Sequence, residues 1–566
     1  MSNQAPSENK WTTIGGRPQL HRRAWKWAVS GGWETILLIV LIAGSLFLLF
    51  FNLDINPRSW HDEGDALALA RALVEDGFYG IKISDGFQTF GIVQSIGPTV
   101  IIPAALVFKL FGVSLINGRA VAALLGLLTL IIFHRTAKAL IGSRGALFGI
   151  MFLISLPELR YLYIARQFLG IVPALGFFLA GFLLWHQAVR SKRAGPAILA
   201  GILLGGATLT KSQYLVLGLA AFGATAILDL IYYRLGAFKL TVVTIAVALT
   251  CYAGWNLWQW AYYGTEVFVE NQAKMSQLAG VAYGFHGASV MEGIKTLLGK
   301  ATGHYFMYWG LLSLVYIGFI SLKKDPESMG WMLLLIFTGL SLGFVVFWTL
   351  PWIWHFFAPL AVTALFISKL FDDLLGSILQ TLARLKPAIL ELIRHRKPFP
   401  TGEITVVGAL VAVITFFLWT GINFKDRLVE DVLDRQGKSS SHSPRSFTLP
   451  YETADFLNQL VPPGSIIETS ERELAILTDF IYHTPDQSIL INVIPYIYRR
   501  IGSNNYQLGS EYFNSARADY LVIGYFARYH QAYSMDFISK NFEQIKVIGT
   551  GGFEYEVYRR ITPFLD

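Results

Sequence analysis

Apolar and polar positions along this chain alternate in long blocks rather than residue by residue. Apolar stretches bounded by charge lie near 33–52, 119–140, 145–157, 171–187, 195–209, 213–232, 238–258, 303–321, 330–350, 356–371 and 404–421. Most approach the ~20 residues that carry a helix across a hydrocarbon core; those at 145–157 and 195–209 are short. A further apolar piece at 91–112 is broken by Gly97, Pro98, Pro103 and Lys109, so it is expected to lie at the interface or re-enter. Beyond 421 the pattern changes. Residues 423–435 have the pattern of a polar amphipathic helix, and 436–446 (QGKSSSHSPRS) that of a linker. Residues 447–566 then alternate helical patterns (451–461, 472–480, 511–517, 534–542) with apolar runs (465–469, 489–493, 519–526, 544–549, 554–560). Such alternation predicts a small α/β domain. Gly549, Gly551 and Gly552 fit a hairpin turn, and no lysine or helix follows them as a phosphate loop requires. The predicted architecture is an α-helical polytopic membrane protein of about 11 transmembrane helices with a small extracytoplasmic α/β C-terminal domain. Its parts are a basic N-terminus (1–32), the transmembrane domain (33–421, with interfacial helices within 64–112), a linker (422–446) and the α/β domain (447–566).

Composition narrows the class. Of 566 residues, 54% are hydrophobic and 15% charged, against about 25% charged in soluble domains. That excludes a soluble enzyme, a disordered chain and a collagen-like one. A single cysteine, Cys251, excludes an internal disulfide and a cysteine-rich metal site. The net charge of +8 is a matter of topology. Arg17, Arg22, Arg23 and Lys26 precede the first span; Arg135, Lys138 and Arg144 follow the second; Arg190, Lys192 and Arg193 the fourth; Arg234 and Lys239 the sixth. Lys323 and Lys324 follow the eighth, and Arg384, Lys386, Arg394, Arg396 and Lys397 the tenth. The positive-inside rule puts these alternate connections and the N-terminus in the cytoplasm, and the C-terminal domain outside. Nucleic acid is not implied. The first 32 residues lack a short apolar core with a cleavage signature, so the first span is expected to stay as an anchor. No Asn-x-Ser/Thr sequon occurs, which favours a bacterial inner membrane over a secretory pathway.

The densest chemistry is SWHDEGDALALARALVEDG, residues 59–77. Leu67, Leu69, Ala70, Leu73 and Val74 recur at roughly helical spacing, predicting an amphipathic helix in the outer interface with its apolar side toward lipid. His61, Asp62, Glu63 and Asp65 crowd its start, where exposed amides and the macrodipole favour carboxylates. An ordinary helix start accounts for the acids as well as a catalytic site does. On the functional reading, one carboxylate is a general base that draws the proton from an acceptor hydroxyl or amine, with Glu63 or Asp65 orienting it or the acceptor.

An outer-loop Asp-Glu heading an amphipathic helix with Ala68-Leu69-Ala70-Arg71 resembles the GT-C membrane glycosyltransferases, most of all the group of protein O-mannosyltransferases and the aminoarabinose transferase of lipid A. The stretch from Gly97-Pro98 through Leu110-Phe111-Gly112 to Arg119 is similar too, as are Tyr163-Ile164-Ala165-Arg166-Gln167, GGATLTK at 205–211, and Trp354-His355 before Pro359. The likeness runs in order from about 33 to 420. It implies an enzyme that takes a sugar from a polyprenyl phosphate carrier and transfers it, with inversion, to an acceptor on the outer face. On this chain Asp62 matches the catalytic carboxylate and Glu63 its neighbour. A leaving phosphate needs cations at the same level; Arg166, Lys211 and His355 are the candidates, with Arg160 and His61 behind them and Asp65 as a further substrate-binding candidate. For each cation the competing reading is an interfacial side chain reaching water or pairing with an acid. The chain departs from the family at two points. Leu169, Gly170, Ile171 and Val172 stand where an acid often follows the second-loop arginine, Glu158 lying upstream, and no lysine flanks Pro98, only Gln94 and Ser95 nearby. No W-W-D signature occurs, against the oligosaccharyltransferase branch.

The loop at 259–302 carries Trp260, Tyr262, Tyr263, Tyr283, Phe285 and His286, with Tyr305 beyond, as a membrane-surface aromatic belt or a platform under a sugar or prenyl chain. His61, His286, His304 and His355 are scattered, so neither a metal nor a cofactor is expected beyond the lipid-linked sugar. Expected partners are the polyprenyl-phosphate sugar, membrane lipid, and an acceptor that is lipid, polysaccharide or protein. Two other functions stay open: a transporter or flippase of a lipid-linked or acidic solute, and a catalytically degenerate relative acting as scaffold. Transporters put ionisable groups at the midplane of broken helices, whereas here the acids gather in a surface loop.

Overall fold

The computed structural model describes residues 32–91, 95–155, 160–282, 287–295, 306–348, 353–395, 447–489, 491–493, 508, 510–531 and 533–563, with Gly408, Val411 and Thr415. The expected linker and, those three residues apart, the expected span at 404–421 lie outside the described residues, as do Gln94, Glu158, Tyr283, Phe285, His286, His304 and Tyr305.

The chain enters through α1 (Gly32–Phe50), followed by α2 (His61–Glu75), a hairpin of β1 (Ile81–Ile83) and β2 (Gly86–Gln88), and α3 (Pro98–Phe111). The helical body continues as α4 (Leu115–Ile141), α5 (Ser143–Ser155), the single turn α6 (Tyr161–Ile164), α7 (Ile171–Ser191), α8 (Ala194–Thr210), α9 (Gln213–Leu228) and α10 (Phe238–Tyr263). Then come α11 (Thr265–Ala282), α12 (Gly287–Lys295), α13 (Leu311–Ile320), α14 (Pro326–Phe347) and α15 (Ile353–His395). Among the described residues five helices are long and apolar enough to cross a membrane: α4, α7, α9 with its π-turn to Tyr233, α10 and α14. α1, α3, α5, α8 and α13 are shorter apolar helices. The expected spans at 145–157 and 195–209 are the short helices α5 and α8.

Local chemistry sets the ends. Ser114 caps α4 by accepting the Asn117 amide, and Gly142 ends the helix at φ 102°. Asp325 caps α14, and Pro326 occupies its first turn, where a missing N–H does no harm. Gly201 and Gly205, four apart on α8, let α10 approach closely: a Cβ at Gly205 would sit 2.7 Å from the Cβ of Cys251. Small residues so spaced are how helices pack in lipid, where apolar side chains gain nothing from leaving their surroundings.

The C-terminal part is a five-stranded sheet of order β4-β3-β5-β7-β6, built from β3 (Ile466–Thr469), β4 (Ile481–His483), β5 (Tyr520–Ile523), β6 (Phe542–Ile548) and β7 (Tyr555–Arg560). β3 pairs parallel with β4 and β5, and β7 antiparallel with β5 and β6. Helix α16 (Leu449–Leu460) leads into it. Three of the predicted apolar runs after 510 are β5, β6 and β7, with Gly549, Gly551 and Gly552 at positive φ in the hairpin before Tyr555. Two expectations change. Ile489 and residues 491–493 are helical where an extended run was expected, and the helical pattern at 472–480 is a single turn, Leu474–Leu477, followed by the strand β4 that the pattern did not predict.

The larger correction concerns α2. It does not lay an apolar side on lipid: Ala66, Leu67, Leu69 and Ala70 are fully buried. They join Val100, Ile101 and Phe108 of α3, Leu115 of α4, Phe168 and Ile476 in one core. Arg71 closes this contact, donating to the carbonyls of Ala475 and Thr478 and pairing with Asp479 at 2.7 Å. The spacing of α2 specified an apolar face, and protein covers it. α3 instead presents Ile102, Leu106, Leu110 and Phe111 outward.

Candidate active site

The first loop, the 160–170 loop, the ends of α8 and α15 and the sheet unit meet at one end of the helical body. The start of α2 is held from several sides. Glu63 and Arg119 form a fully buried two-toothed pair, Nε to Oε1 at 2.9 Å and Nη2 to Oε2 at 2.6 Å. Arg119 also donates to the carbonyls of Leu53 and Asp54, and Glu63 accepts the amide of Phe168 at 3.2 Å. A buried charge persists only when so matched. Glu63 therefore ties α2 to α4 and to the 160–170 loop.

Asp65 is equally committed. It faces His61 Nε2 at 3.4 Å and Arg472 Nε at 3.3 Å and accepts the Gln487 amide. His61 is held by the Ser470 carbonyl at 2.8 Å and stacks on Phe526, ring centres 3.7 Å apart. Between these fixed neighbours stands Asp62, whose side chain forms no hydrogen bond among the described residues. Burial pushes its carboxyl above the usual range, with Asp65 adding to the rise, while the charges of His61 and Lys211 oppose it.

Lys211 reaches this place from another element. It ends α8, its amide bonded to Ala207, and starts the turn into α9. The α8 end is pinned by a 2.6 Å bond between the Thr99 and Thr210 hydroxyls. Gly97 lies so close to the Leu209 carbonyl that any Cβ would collide with it. Burial lowers the ammonium to about 8, Asp62 opposing the fall. Asp62 and Lys211, far apart in sequence, are thus electrostatic neighbours.

A second group centres on Tyr163 in α6. Its hydroxyl lies in the field of Arg160, Arg119, Glu63 and Arg166, and burial raises it. Arg166 is fully buried and donates to the Phe51 carbonyl at 2.6 Å, joining this loop to the end of α1. Arg160 is exposed, at φ 41°, its guanidinium 5.9 Å from the Tyr163 ring. Tyr161 anchors the turn on α4 by donating to the Gly126 carbonyl at 2.7 Å. His355, in the first turn of α15, lines a cleft with Gln213, Tyr214, Ser341 and Pro359, beside the turn that carries Lys211. Trp354 packs on Trp60, centres 5.4 Å apart, so α15 also touches the first loop.

The structure thus gathers all eight candidates at one end: Asp62 with Lys211, His61 and Asp65; Glu63 with Arg119; Arg160 and Arg166 around Tyr163; His355 in the adjoining cleft. The sequence points to Arg119 and Tyr163 only as parts of family-like stretches, without a role, and not at all to Arg472 or Gln487. Arg119 carried a signal, an ionisable residue at the head of an apolar span; Arg472 and Gln487 carried none. Among the described residues no three His, Cys, Asp or Glu side chains converge as a metal site.

Residues 97–258 match the family model of dolichyl-phosphate-mannose-protein mannosyltransferases. No curated protein matches the sequence. Among solved structures, the chain is similar to ArnT from Cupriavidus metallidurans bound to undecaprenyl phosphate (TM-score 0.56, 14% identity, 93% of this chain and 98% of that one). It is similar to the same protein in the apo state (0.56, 13%, 94% and 98%). It also resembles the Archaeoglobus fulgidus oligosaccharyltransferase tethered to an acceptor peptide (0.52, 13%, 92% and 73%). At these identities the likeness is one of fold. The family match lies inside the helical body whose loops gather at one end, and the chain as a whole is similar in fold to ArnT.

Proposed function

We propose that this chain is an inverting glycosyltransferase that moves a sugar from a polyprenyl phosphate carrier to an acceptor on the outer face of a bacterial inner membrane. The observation that carries this reading is that Asp62 and Lys211, a carboxyl and an ammonium from separate elements, lie in each other's electrostatic field at the loop end of the body. Asp62 accepts the proton of the acceptor hydroxyl or amine as that atom attacks the anomeric carbon. The bond from that carbon to the phosphate oxygen breaks on the opposite face, and the phosphate leaves with the electron pair. Lys211, with His355 in the adjoining cleft, meets the charge that develops there. Arg160, exposed beside Tyr163, is better placed than the buried Arg166 to touch a ligand; Arg166 adds to the local positive field. Glu63 holds Asp62 from behind through Arg119.

Purified protein given polyprenyl phosphate sugars and candidate acceptors should form glycosylated product. Asp62→Asn should lower the rate by about 10²–10⁴-fold, the usual worth of a positioned general base. An Asp62→Asn protein that is folded and transfers at the parental rate would sink the assignment. The reading needs no metal, so transfer is expected to survive saturating chelator unchanged. A rate abolished by chelation and restored by a divalent ion would replace the cation role of Lys211 with a bound metal.

A further inference from the structure

Among the described residues the mechanism leaves one buried cation without a role. Arg472 belongs to the sheet unit and is 2% exposed. Its Nη2 donates to Gln88 Oε1 and to the Pro485 carbonyl, each at 2.8 Å, and its Nε stands 3.3 Å from Asp65 Oδ1. Asp65 in turn faces His61, whose other ring nitrogen is held at the Ser470 carbonyl. At Gly64 any Cβ would collide with the backbone of Arg472 and Glu473. So the sheet unit grips residues 61, 64 and 65, one on each side of Asp62 and one beyond.

We propose that Arg472 is a positioning residue for the transfer reaction: reaching in from the sheet unit, it neutralises Asp65 and fixes the turn that carries Asp62. This rests on the reading of Asp62 as the base. The physical argument is electrostatic as well as steric. The charged groups facing Asp62 are His61 and Asp65 from its own helix and Lys211 from the end of α8. Asp65 is the only anion among these three, and an Asp65 without its arginine would hold the proton on Asp62 and remove the base. The sheet unit is then part of the active site rather than an appendage to it.

The test is the pH dependence of kcat in full-length protein. Arg472→Met should lower kcat by about 10–100-fold through lost alignment, with donor KM within about twofold. It should also move the acidic limb of the profile to higher pH. Adding Asp65→Asn to Arg472→Met should bring that limb back, and Arg472→Lys should recover part of kcat. A merely structural arginine would lower kcat and leave the limb in place. Where Arg472→Met does not yield folded protein, Asp65→Asn alone carries the test, since it should move the limb to lower pH. Limbs that stay put in both variants overturn the proposal. If Asp62→Asn retains transfer, the base assignment falls; if it loses transfer while Arg472→Met keeps the parental kcat and limb, only the role of Arg472 falls.

Discussion

At the scale of single residues, the site separates groups that hold from groups left to act. Glu63 and Arg119 neutralise each other, and Asp65 is held by the sheet unit, so of the three acids at the head of α2 Asp62 is the one left for chemistry. On the proposed reading Lys211 sets an upper bound on working pH. Its ammonium is lowered to about 8 by burial, so the cation is present below that pH and is lost as pH rises through it. Transfer is expected to fall along an alkaline limb centred about 8. Lys211→Arg should keep its charge and push that limb upward, because a guanidinium stays protonated. Lys211→Ala should raise the apparent donor KM. A profile flat past pH 9 in the parent, on the ordinary lysine scale of ~10.4, would show that Lys211 plays no part.

At the scale of elements, α2 was legible as a helix and misread in its surroundings. The spacing of Leu67, Leu69, Ala70, Leu73 and Val74 fixes an apolar face, but periodicity does not say whether lipid or protein lies against it. Protein covers it, α3 and α4 on most of its length and the sheet unit beside Ile476, and Gly64 is the contact that admits the sheet unit so closely. Gly64→Ala should therefore separate the two, costing about 1–3 kcal/mol as overpacking does and abolishing most transfer. Gly223→Ala, on α9 with nothing within 4 Å of the new Cβ, should be neutral or stabilising by up to ~1 kcal/mol through helix propensity. Thermal unfolding in detergent compares the two. Equal midpoints would mean that the close approach at Gly64 is not a packing constraint. The same limit explains β4: a strand of three residues, Ile481–His483, has too short a pattern to stand out from the run before it, and only its neighbours in the sheet identify it.

At the scale of the whole molecule, sidedness read from lysine and arginine placement makes a prediction that the fold makes coherent. The hairpin of the first loop, the 160–170 loop, the α8 end and the sheet unit all share one end, as alternate connections must. With Cys251 replaced, Lys82→Cys in that hairpin should react with an impermeant maleimide on intact cells. Lys323→Cys, between α13 and α14, should react only after permeabilisation. The reverse pattern would place Asp62 in the cytoplasm and end the proposed outer-face reaction.

The sequence alone determined that the chain is a helical membrane protein, where its apolar segments run, that a separate α/β sheet follows, and that the acids of 62–65 head a helix. These are consequences of local spacing and of transfer energies that act residue by residue. The tertiary structure alone decided which acids are already neutralised, that Lys211 stands near Asp62, and that α2 is roofed by the sheet unit through Arg472 and Gln487. Charge pairing and burial depend on residues from 56 to 422 positions apart meeting at one end of the bundle, and no local pattern carries that distance.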